Sequence, residues 1–275
     1  MKTTYYIPHV SAGHYENFPV ASLLLPRLLR EPVAVIYRFA RSADDFADEG
    51  DAPPAMRLAQ LEGFRTELRR IAARVAPETP LFEDVARIVR EHALPLAPFH
   101  DLLDAFSQDV AKTRYAHFPE VLDYCRRSAN PVGRLLLHLF GRTHEAALKH
   151  SDAICTSLQL VNFWQDVALD WRKGRIYLPQ DDMRTFGVSE AQLAEQRCDG
   201  AWRALMQFQC DRTRDLMLAG APLAESLAGR VAMEIRLTIQ GGLRILEKLR
   251  RSGYDMFRKR PVLRWHDWPL LLWRA

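Results

Sequence analysis

The sequence has few of the features that mark membrane-spanning or disulfide-rich proteins. Its longest stretches free of Asp, Glu, Lys and Arg are 13 residues, at Thr3–Tyr15 and Ala153–Gln165, whereas a membrane-spanning helix needs about 20 apolar residues. The first residues lack the apolar core and small-residue cleavage site of a signal peptide. The four cysteines show neither CxxC spacing nor the density of a disulfide scaffold. We therefore predict a cytoplasmic protein without a transmembrane helix and with reduced cysteines.

Glycine and proline are also scarce, and most of the chain has no excess of one charge. With 13 Gly and 16 Pro among 275 residues, and 48% hydrophobic residues, the composition excludes collagen-like and intrinsically disordered proteins. The formal charge of +4 is too small to predict a nucleic-acid partner. Residues 244–275 nevertheless contain nine Lys or Arg against three Asp or Glu. The basic character of the protein therefore belongs to its C-terminal end.

The C-terminal tail, at about residues 256–275, combines these cations with three of the six tryptophans. Basic residues interleaved with Trp and Leu are typical of a segment that lies on an anionic membrane surface. They are equally typical of a tail that packs on the protein while its arginines extend to solvent. The first interpretation predicts peripheral contact with the inner face of the membrane, and the sequence leaves both open.

Apolar residues recur at helical spacing along nearly the whole chain, as at Val33, Ile36, Tyr37 and Ala40. Alternating runs of β-branched residues are missing, so we predict an all-α fold, organised as one domain over residues 1–275. Helices are expected near residues 19–29, 32–50, 54–74, 80–93, 98–112, 119–141, 143–170, 189–219 and 222–254. Several begin at a proline, such as Pro32, because proline suits the first helical turn.

Two interruptions of this helical pattern are predicted. Asn130-Pro131 falls inside one predicted helix and is expected to kink or divide it. Residues 171–187, rich in Gly, Pro and Asp, are expected to form a long irregular connection. Connections of that length are more often functional than short ones.

The first candidate site lies at the end of a predicted apolar helix, where the sequence reads Arg41-Ser-Ala-Asp44-Asp45-Phe-Ala-Asp48-Glu49. Asp44 and Asp48 are four residues apart and therefore share one helix face. Carboxylates at a helix C-terminus oppose the helix macrodipole, so a cation is expected to offset them. A solvated acidic helix end is the alternative interpretation of this motif taken alone.

A second acidic strip ends another apolar helix, where Asn162, Asp166 and Asp170 follow one another at intervals of one turn. Apolar neighbours such as Leu160 and Val161 make this strip a poor solvated surface. Oxygen ligands of this kind suit Mg²⁺, which commonly takes one or two carboxylates together with substrate phosphate oxygens. Two such strips facing each other would form a diphosphate site with two or three Mg²⁺ ions.

The two aspartate pairs resemble the two DxxxD motifs of the squalene/phytoene synthases, and the resemblance covers nearly the whole chain. Further matching segments are His14-Tyr-Glu-Asn-Phe18, Tyr37 with Arg41, Tyr124-Cys-Arg-Arg-Ser-Ala129-Asn-Pro-Val132-Gly133 and Gly174-Arg175-Ile-Tyr177-Leu-Pro179. The resemblance implies a class I terpenoid synthase fold, a helical bundle with a central cavity.

The resemblance also implies a role for each matched residue. The implied metal ligands are Asp44, Asp48, Asn162, Asp166 and Asp170, and the catalytic group adds Arg41, Tyr37 and Tyr177 to the four aspartates. The implied substrate-binding residues are His14, Phe18, Tyr37, Arg41, Tyr124, Ala129, Val132, Gln159, Asn162, Gln165 and Arg175. For each tyrosine, packing in the core with a satisfied hydroxyl is the alternative interpretation.

The resemblance is sharper to the hydroxysqualene synthase branch of the bacterial hopanoid pathway, through Ser42-Ala-Asp-Asp-Phe-Ala-Asp48 and Asn162-Phe-Trp-Gln165-Asp166. This branch implies Mg²⁺-dependent ionisation of presqualene diphosphate and capture of the resulting cation by water. No nucleotide-binding fingerprint such as GxGxxG is present, so NADPH is not expected. The implied partners are a prenyl diphosphate lipid and other hopanoid-pathway enzymes.

Two other functions stay open at this stage. Within the same family, the chain is compatible with head-to-head condensation of prenyl diphosphates, to presqualene diphosphate or to phytoene or dehydrosqualene. The same fold also suits a non-catalytic lipid-binding or assembly protein. Loss of the aspartate pairs would be the sign of such a protein, and here both pairs are complete.

Overall fold

The computed structural model describes residues 24–48 and 52–275, except for the side chain of Asp48. Within these ranges the chain forms helices and no β-strand, which confirms the all-α prediction. The helices are α1 (Arg27–Asp48), α2 (Pro54–Ala72), α3 (Pro80–Glu91), α4 (Ala97–Ala111), α5 (Phe118–Ser128), α6 (Asn130–Leu139), α7 (Glu145–Arg172), α8 (Gln180–Thr185), α9 (Glu190–Ala194), α10 (Gly200–Gly220), α11 (Leu223–Ser226), α12 (Gly229–Arg251) and α13 (Trp268–Arg274). In the described ranges, no helix has the length and apolarity needed to cross a bilayer.

Two large apolar cores fill the space between these helices. The first joins α1 to α2, α3, α4 and α6, and in it the ring of Phe39 meets the rings of Phe82 and Phe99 edge to face. The second joins α5, α7, α10 and α12 around the fully buried Trp164 and Trp202. Helix α6 packs against both α1 and α7. It therefore connects the two helices that carry the acidic motifs.

Of the two predictions made from prolines, one is confirmed and one is wrong. Asn130-Pro131 opens α6 directly after α5 ends, so the predicted division of this helix is confirmed. Pro32 lies inside α1, which begins at Arg27, so the predicted helix start at residue 32 is wrong. Proline removes one backbone hydrogen bond there, but the buried Val33 and its apolar neighbours keep the helix continuous. Of the predicted helix 19–29, residues 19–23 lie outside the described ranges.

The chain after α7 is divided more finely than predicted. The connection 171–187 is not wholly irregular, because it contains α8. The predicted helix 189–219 is divided into α9 and α10, where the Asp199 carboxylate accepts the N–H of Trp202 at 3.0 Å and caps α10. The predicted helix 222–254 is divided before Gly229, whose φ of +58° is easy for glycine. Caps and turns of this kind leave the apolar period unchanged, which is why the period did not predict them.

All four cysteines are free, as the sequence predicted. Burial raises the pKa of Cys155 to about 11, and it also raises the pKa of Cys125 and Cys210. These three thiols are therefore protonated and unreactive at neutral pH.

A buried carboxylate ties the C-terminal segment to α12. Asp267 accepts hydrogen bonds from Arg244 at 2.9 Å, from Lys248, and from the backbone N–H of Arg264 at 2.8 Å. Burial opposes ionisation of Asp267, but these donors outweigh burial and hold its pKa well below the usual range. Part of the tail therefore packs on the body, as one interpretation predicted, while Trp265 of the same segment faces solvent.

Gly220, the last residue of α10, permits a close contact with α7. A Cβ at this position would lie 2.6 Å from Ile154 Cγ1 and 2.7 Å from the carbonyl oxygen of His150, so the backbone itself would have to move. We expect Gly220→Ala to lower the free energy of unfolding by about 1–3 kcal/mol. Gly63→Ala in α2 is the matched control, because a Cβ there meets nothing within 4 Å. It should raise the free energy of unfolding, since Ala is more favourable than Gly in a helix by about 1 kcal/mol. Urea unfolding of both variants tests this, and an equal change in both would contradict it.

Candidate active site

The acidic end of α1 is held by an arginine of the same helix. The Arg41 guanidinium lies 3.3 Å from Asp44 Oδ2 and 2.7 Å from Asp45 Oδ1. Arg41 is thus a cation of the kind expected to offset carboxylates at a helix C-terminus. Tyr37 lies one turn before Arg41 and is half-buried. The side chain of Asp48 is outside the described part of the chain, so its role stays a prediction.

The second acidic strip lies on one face of α7, where Asn162, Asp166 and Asp170 are one turn apart. Asp166 is paired with Arg260 of the C-terminal segment, which donates from Nε and, at 3.0 Å, from Nη2. The Asn162 Oδ1 atom is buried, and no described residue donates a hydrogen bond to it. Such an oxygen costs free energy unless a ligand satisfies it. The Asn162 Oδ1 atom is therefore an acceptor without a partner among the described residues, one turn from Asp166, and its role as a ligand stays a prediction.

The oxygen atoms of this strip are ligands of the kind that a hard divalent cation prefers. Carboxylate and amide oxygens are typical Mg²⁺ ligands, and the Asn162 Oδ1 atom is an amide oxygen that needs a partner. Among the described side chains, no three His, Cys, Asp or Glu lie close enough together to form a metal site. A cation at Asn162 and Asp166 would therefore need further oxygens from a substrate diphosphate or from a side chain outside the described set. That the two acidic strips face each other stays a prediction.

A buried carboxylate on α4 gathers two of the predicted tyrosines. Asp109, which is 5% exposed, accepts the hydroxyl of Tyr124 at 2.5 Å and that of Tyr177 at 3.1 Å. The Phe163 ring of α7 stacks on Tyr177 with 3.8 Å between centroids. We call these four residues the Asp109 cluster. Burial, followed by the charge of Asp109, raises the pKa of both tyrosines well above the usual range, so both hydroxyls are protonated and satisfied.

The loop after α7 joins the Asp109 cluster to the end of the acidic strip. Arg175 donates from Nη2 to the backbone carbonyl of Asp109 at 3.1 Å, and its backbone N–H donates to the carbonyl of Asp170 at 2.8 Å. Asp170, Arg175 and Tyr177 line one small gap. The structure thus brings together residues that the sequence predicted from the second acidic motif and from the loop.

The remaining predicted binding residues occupy varied positions. Gln165 is 3% exposed and donates from Nε2 to the carbonyl of Pro261 at 2.5 Å, so its observed contact is with the C-terminal segment. Ala129, Val132 and Gln159 are half-buried, and His14 and Phe18 lie outside the described residues.

Two residues of this region are absent from the predictions made from sequence. Asp109 occupies a core position of α4, in register with the buried Leu102 and Phe106, and a carboxylate at an apolar helix position signals a buried, paired group. Arg260 carries no comparable signal, because nothing along the chain relates it to Asp166, 94 residues away.

Comparisons with known proteins agree on the family to which the similar proteins belong. The family profile described as Squalene/phytoene synthase matches residues 11–267. The hydroxysqualene synthase of Rhodopseudomonas palustris is 35% identical over 222 residues, 80% of this chain and 74% of that protein. The 15-cis-phytoene synthase of Synechococcus elongatus is 28% identical over 263 residues, 91% of this chain and 85% of that protein. The crystal structure of squalene synthase HpnC from Alicyclobacillus acidocaldarius matches with a TM-score of 0.81 and 38% identity, covering 88% of this chain and 90% of that one.

Proposed function

Because this chain belongs to the squalene/phytoene synthase family, we propose that it ionises presqualene diphosphate with Mg²⁺ and captures the rearranged cation with water, giving hydroxysqualene. The squalene/phytoene type of isoprenoid synthase follows from the family itself. The choice of reaction within the family is supported by the similarity to hydroxysqualene synthases.

One observation carries the proposal most directly. The orphaned Asn162 Oδ1 atom and the Asp166 carboxylate lie on the same helix as Phe163, which forms part of the Asp109 cluster. Ionising a cyclopropylcarbinyl diphosphate requires positive charge at the leaving group and an apolar wall around the hydrocarbon cation. Helix α7 supplies residues for both.

Five residues would hold the metal: Asp44, Asp48, Asn162, Asp166 and Asp170. When bound there, Mg²⁺ supplies Lewis-acid stabilisation of the departing diphosphate. Arg41 positions the Asp44 carboxylate through its ion pair. Arg175, anchored on the Asp109 carbonyl, is placed beside Asp170 to offer a second cation to the leaving diphosphate.

The Asp109 cluster provides the wall for the hydrocarbon cation. A cation near the face of an aromatic ring is attracted by the ring quadrupole, and Phe163 and Tyr177 form a stacked pair in this wall. The raised pKa values keep the Tyr124 and Tyr177 hydroxyls protonated. Both hydroxyls donate to the Asp109 carboxyl group, so neither is left without an acceptor in this wall.

The product identifies the reaction. Purified protein is incubated with presqualene diphosphate and Mg²⁺ without NADPH, and the lipid product is analysed by mass spectrometry. We expect hydroxysqualene, with loss of turnover when the divalent cation is chelated. Squalene formed only after NADPH is added would contradict water capture.

Head-to-head condensation is the second candidate, because phytoene synthases are also among the relatives. Farnesyl diphosphate supplied alone discriminates between the two. Substantial formation of presqualene diphosphate or dehydrosqualene would favour condensation, whereas we expect neither.

Arg260 and Mg²⁺ are expected to compete for Asp166. Arg260 neutralises this carboxylate, so Arg260→Met, which removes the charge and keeps the length, should tighten Mg²⁺ binding about two- to five-fold. Isothermal titration of the substrate-free protein measures this. Arg258→Met is the control, since Arg258 is exposed and pairs with Asp255, and equal tightening in both variants would contradict direct competition.

We further propose that the protein works in the cytoplasm at the inner face of a membrane, as a peripheral protein that receives a water-insoluble substrate. Other hopanoid-pathway enzymes are proposed as its suppliers and consumers. The support for these partners is the chemistry of the proposed substrate.

A further inference from the structure

Three tryptophans of the C-terminal segment expose large apolar surfaces. Trp265 is 83% exposed and Trp273 is 82% exposed, and Trp268 and Leu272 are each more than half exposed. We call these four residues the tryptophan rim. Large apolar side chains exposed singly are normal on a protein surface, whereas several in one short segment of chain suggest an interaction surface.

A basic pocket lies between the end of α12 and the C-terminal segment. Its volume is about 270 Å³, and its basic lining residues are Lys248, Lys259, Arg260, Arg264 and His266. The lining contains no carboxylate. A pocket of this size has room for a phosphate with part of its ester.

Two of the four permanent cations of this pocket are not neutralised by described residues. Lys248 pairs with Asp267, and Arg260 pairs with Asp166. Within the described ranges, Lys259 and Arg264 form no ion pair. The pocket therefore has a net positive charge and suits an anionic ligand.

We propose that this pocket binds the phosphate group of an anionic phospholipid while the tryptophan rim inserts into the interfacial layer of the same bilayer. Lys259 and Arg264 supply the charge for the lipid phosphate. Trp and Leu beside cations are the composition that binds anionic membrane surfaces. The inference rests on the proposed function in one respect, because a water-insoluble isoprenoid diphosphate gives the protein a reason to dock on a bilayer.

The pocket and the tryptophan rim are adjacent along the chain. Trp265 stands between the pocket residues Arg264 and His266 in the sequence. Asp267, the next residue, is buried and accepts from the pocket residue Lys248. A soluble phosphate would need the cations but not the exposed aromatic residues beside them, whereas a bilayer engages both.

Vesicle binding by the full-length protein tests the proposal without any turnover. The protein is sedimented with vesicles of phosphatidylcholine alone or mixed with phosphatidylglycerol. We expect binding only to the anionic vesicles, and quenching of wild-type tryptophan fluorescence by brominated lipids. Lys259→Ala/Arg264→Ala and Trp265→Ala/Trp273→Ala are each expected to weaken binding by roughly ten-fold or more.

Matched controls separate this surface from general charge and hydrophobicity. Arg38→Ala/Arg69→Ala removes two exposed cations elsewhere, and Leu28→Ala/Met56→Ala removes two exposed apolar side chains. Neither control should change vesicle binding by more than about two-fold. Circular dichroism confirms that each variant is folded.

The source of the phosphate is decided by a second titration, with inorganic phosphate in place of vesicles. Phosphate binding that Lys259→Ala/Arg264→Ala abolishes, in a protein that does not sediment with vesicles, would assign the pocket to a soluble phosphate and overturn the proposal. Equal binding to neutral and anionic vesicles, or unchanged binding by both variants, would also overturn it. Turnover of detergent-dispersed presqualene diphosphate is measured separately, so failed docking and failed catalysis are distinguishable.

Discussion

Replacing Asp166 with Ala is expected to lower the rate of diphosphate release from presqualene diphosphate by at least about 100-fold. Asp166 is the proposed metal ligand that lies one turn from the orphaned oxygen of Asn162. Without this carboxylate, the charge that stabilises the leaving diphosphate is no longer held in place. Release is measured as inorganic pyrophosphate, with Mg²⁺ supplied in excess.

The same substitution should leave stability nearly unchanged. The Arg260 side chain that loses this ion pair is 30% exposed, so solvent can hydrate it, and the expected cost is within about 1 kcal/mol. Asp215→Ala serves as the control, because the Asp215 side chain is 75% exposed on α10, and it should keep full activity. Normal turnover by Asp166→Ala would show that Asp166 is not a metal ligand.

Replacing Asp109 with Ala is expected to lower the free energy of unfolding by about 2–4 kcal/mol. The substitution leaves the hydroxyls of Tyr124 and Tyr177 without their acceptor, and both rings are almost fully buried. Arg175 still has the backbone carbonyl at position 109 to bind. Urea unfolding monitored by circular dichroism gives the change.

The tyrosines provide the sharpest control for this prediction. The triple variant Asp109→Ala/Tyr124→Phe/Tyr177→Phe removes the two hydroxyls that would lack an acceptor, so it should be less destabilised than the sum of the single changes. Asp104→Ala, on the exposed side of α4 where Asp104 pairs with Arg65, should cost no more than about 1 kcal/mol. Strict additivity in the triple variant would contradict the cluster as the source of stability.

The local sequence pattern was sufficient to predict part of the candidate site. Residues four apart on a helix share a face whatever surrounds them, so Asn162, Asp166 and Asp170 could be predicted to align before any packing was known. The position of Tyr177 in the structure could not be predicted in this way. Its hydroxyl meets Asp109 across 68 residues of sequence, and that contact depends on how α4, α5 and α7 pack.

Some helix ends could likewise be predicted from the sequence, and others could not. The apolar period predicted α2 and α3 closely, because each buries one continuous face. It joined α9 to α10 and α11 to α12, because a cap such as Asp199 interrupts the backbone without interrupting the period. Pro32 shows the reverse case, in which burial of α1 outweighs a local helix-breaking signal.

The sequence by itself determined the all-α class and predicted two acidic strips that suit a divalent cation, since periodicity and ligand chemistry are local properties of the chain. Only the tertiary structure decided that Arg260 pairs with Asp166, that Gln165 binds the Pro261 carbonyl, and that the tail both packs through Asp267 and exposes its tryptophans. These contacts join residues distant along the chain, and they form only where the packing of whole helices brings their side chains within hydrogen-bonding distance.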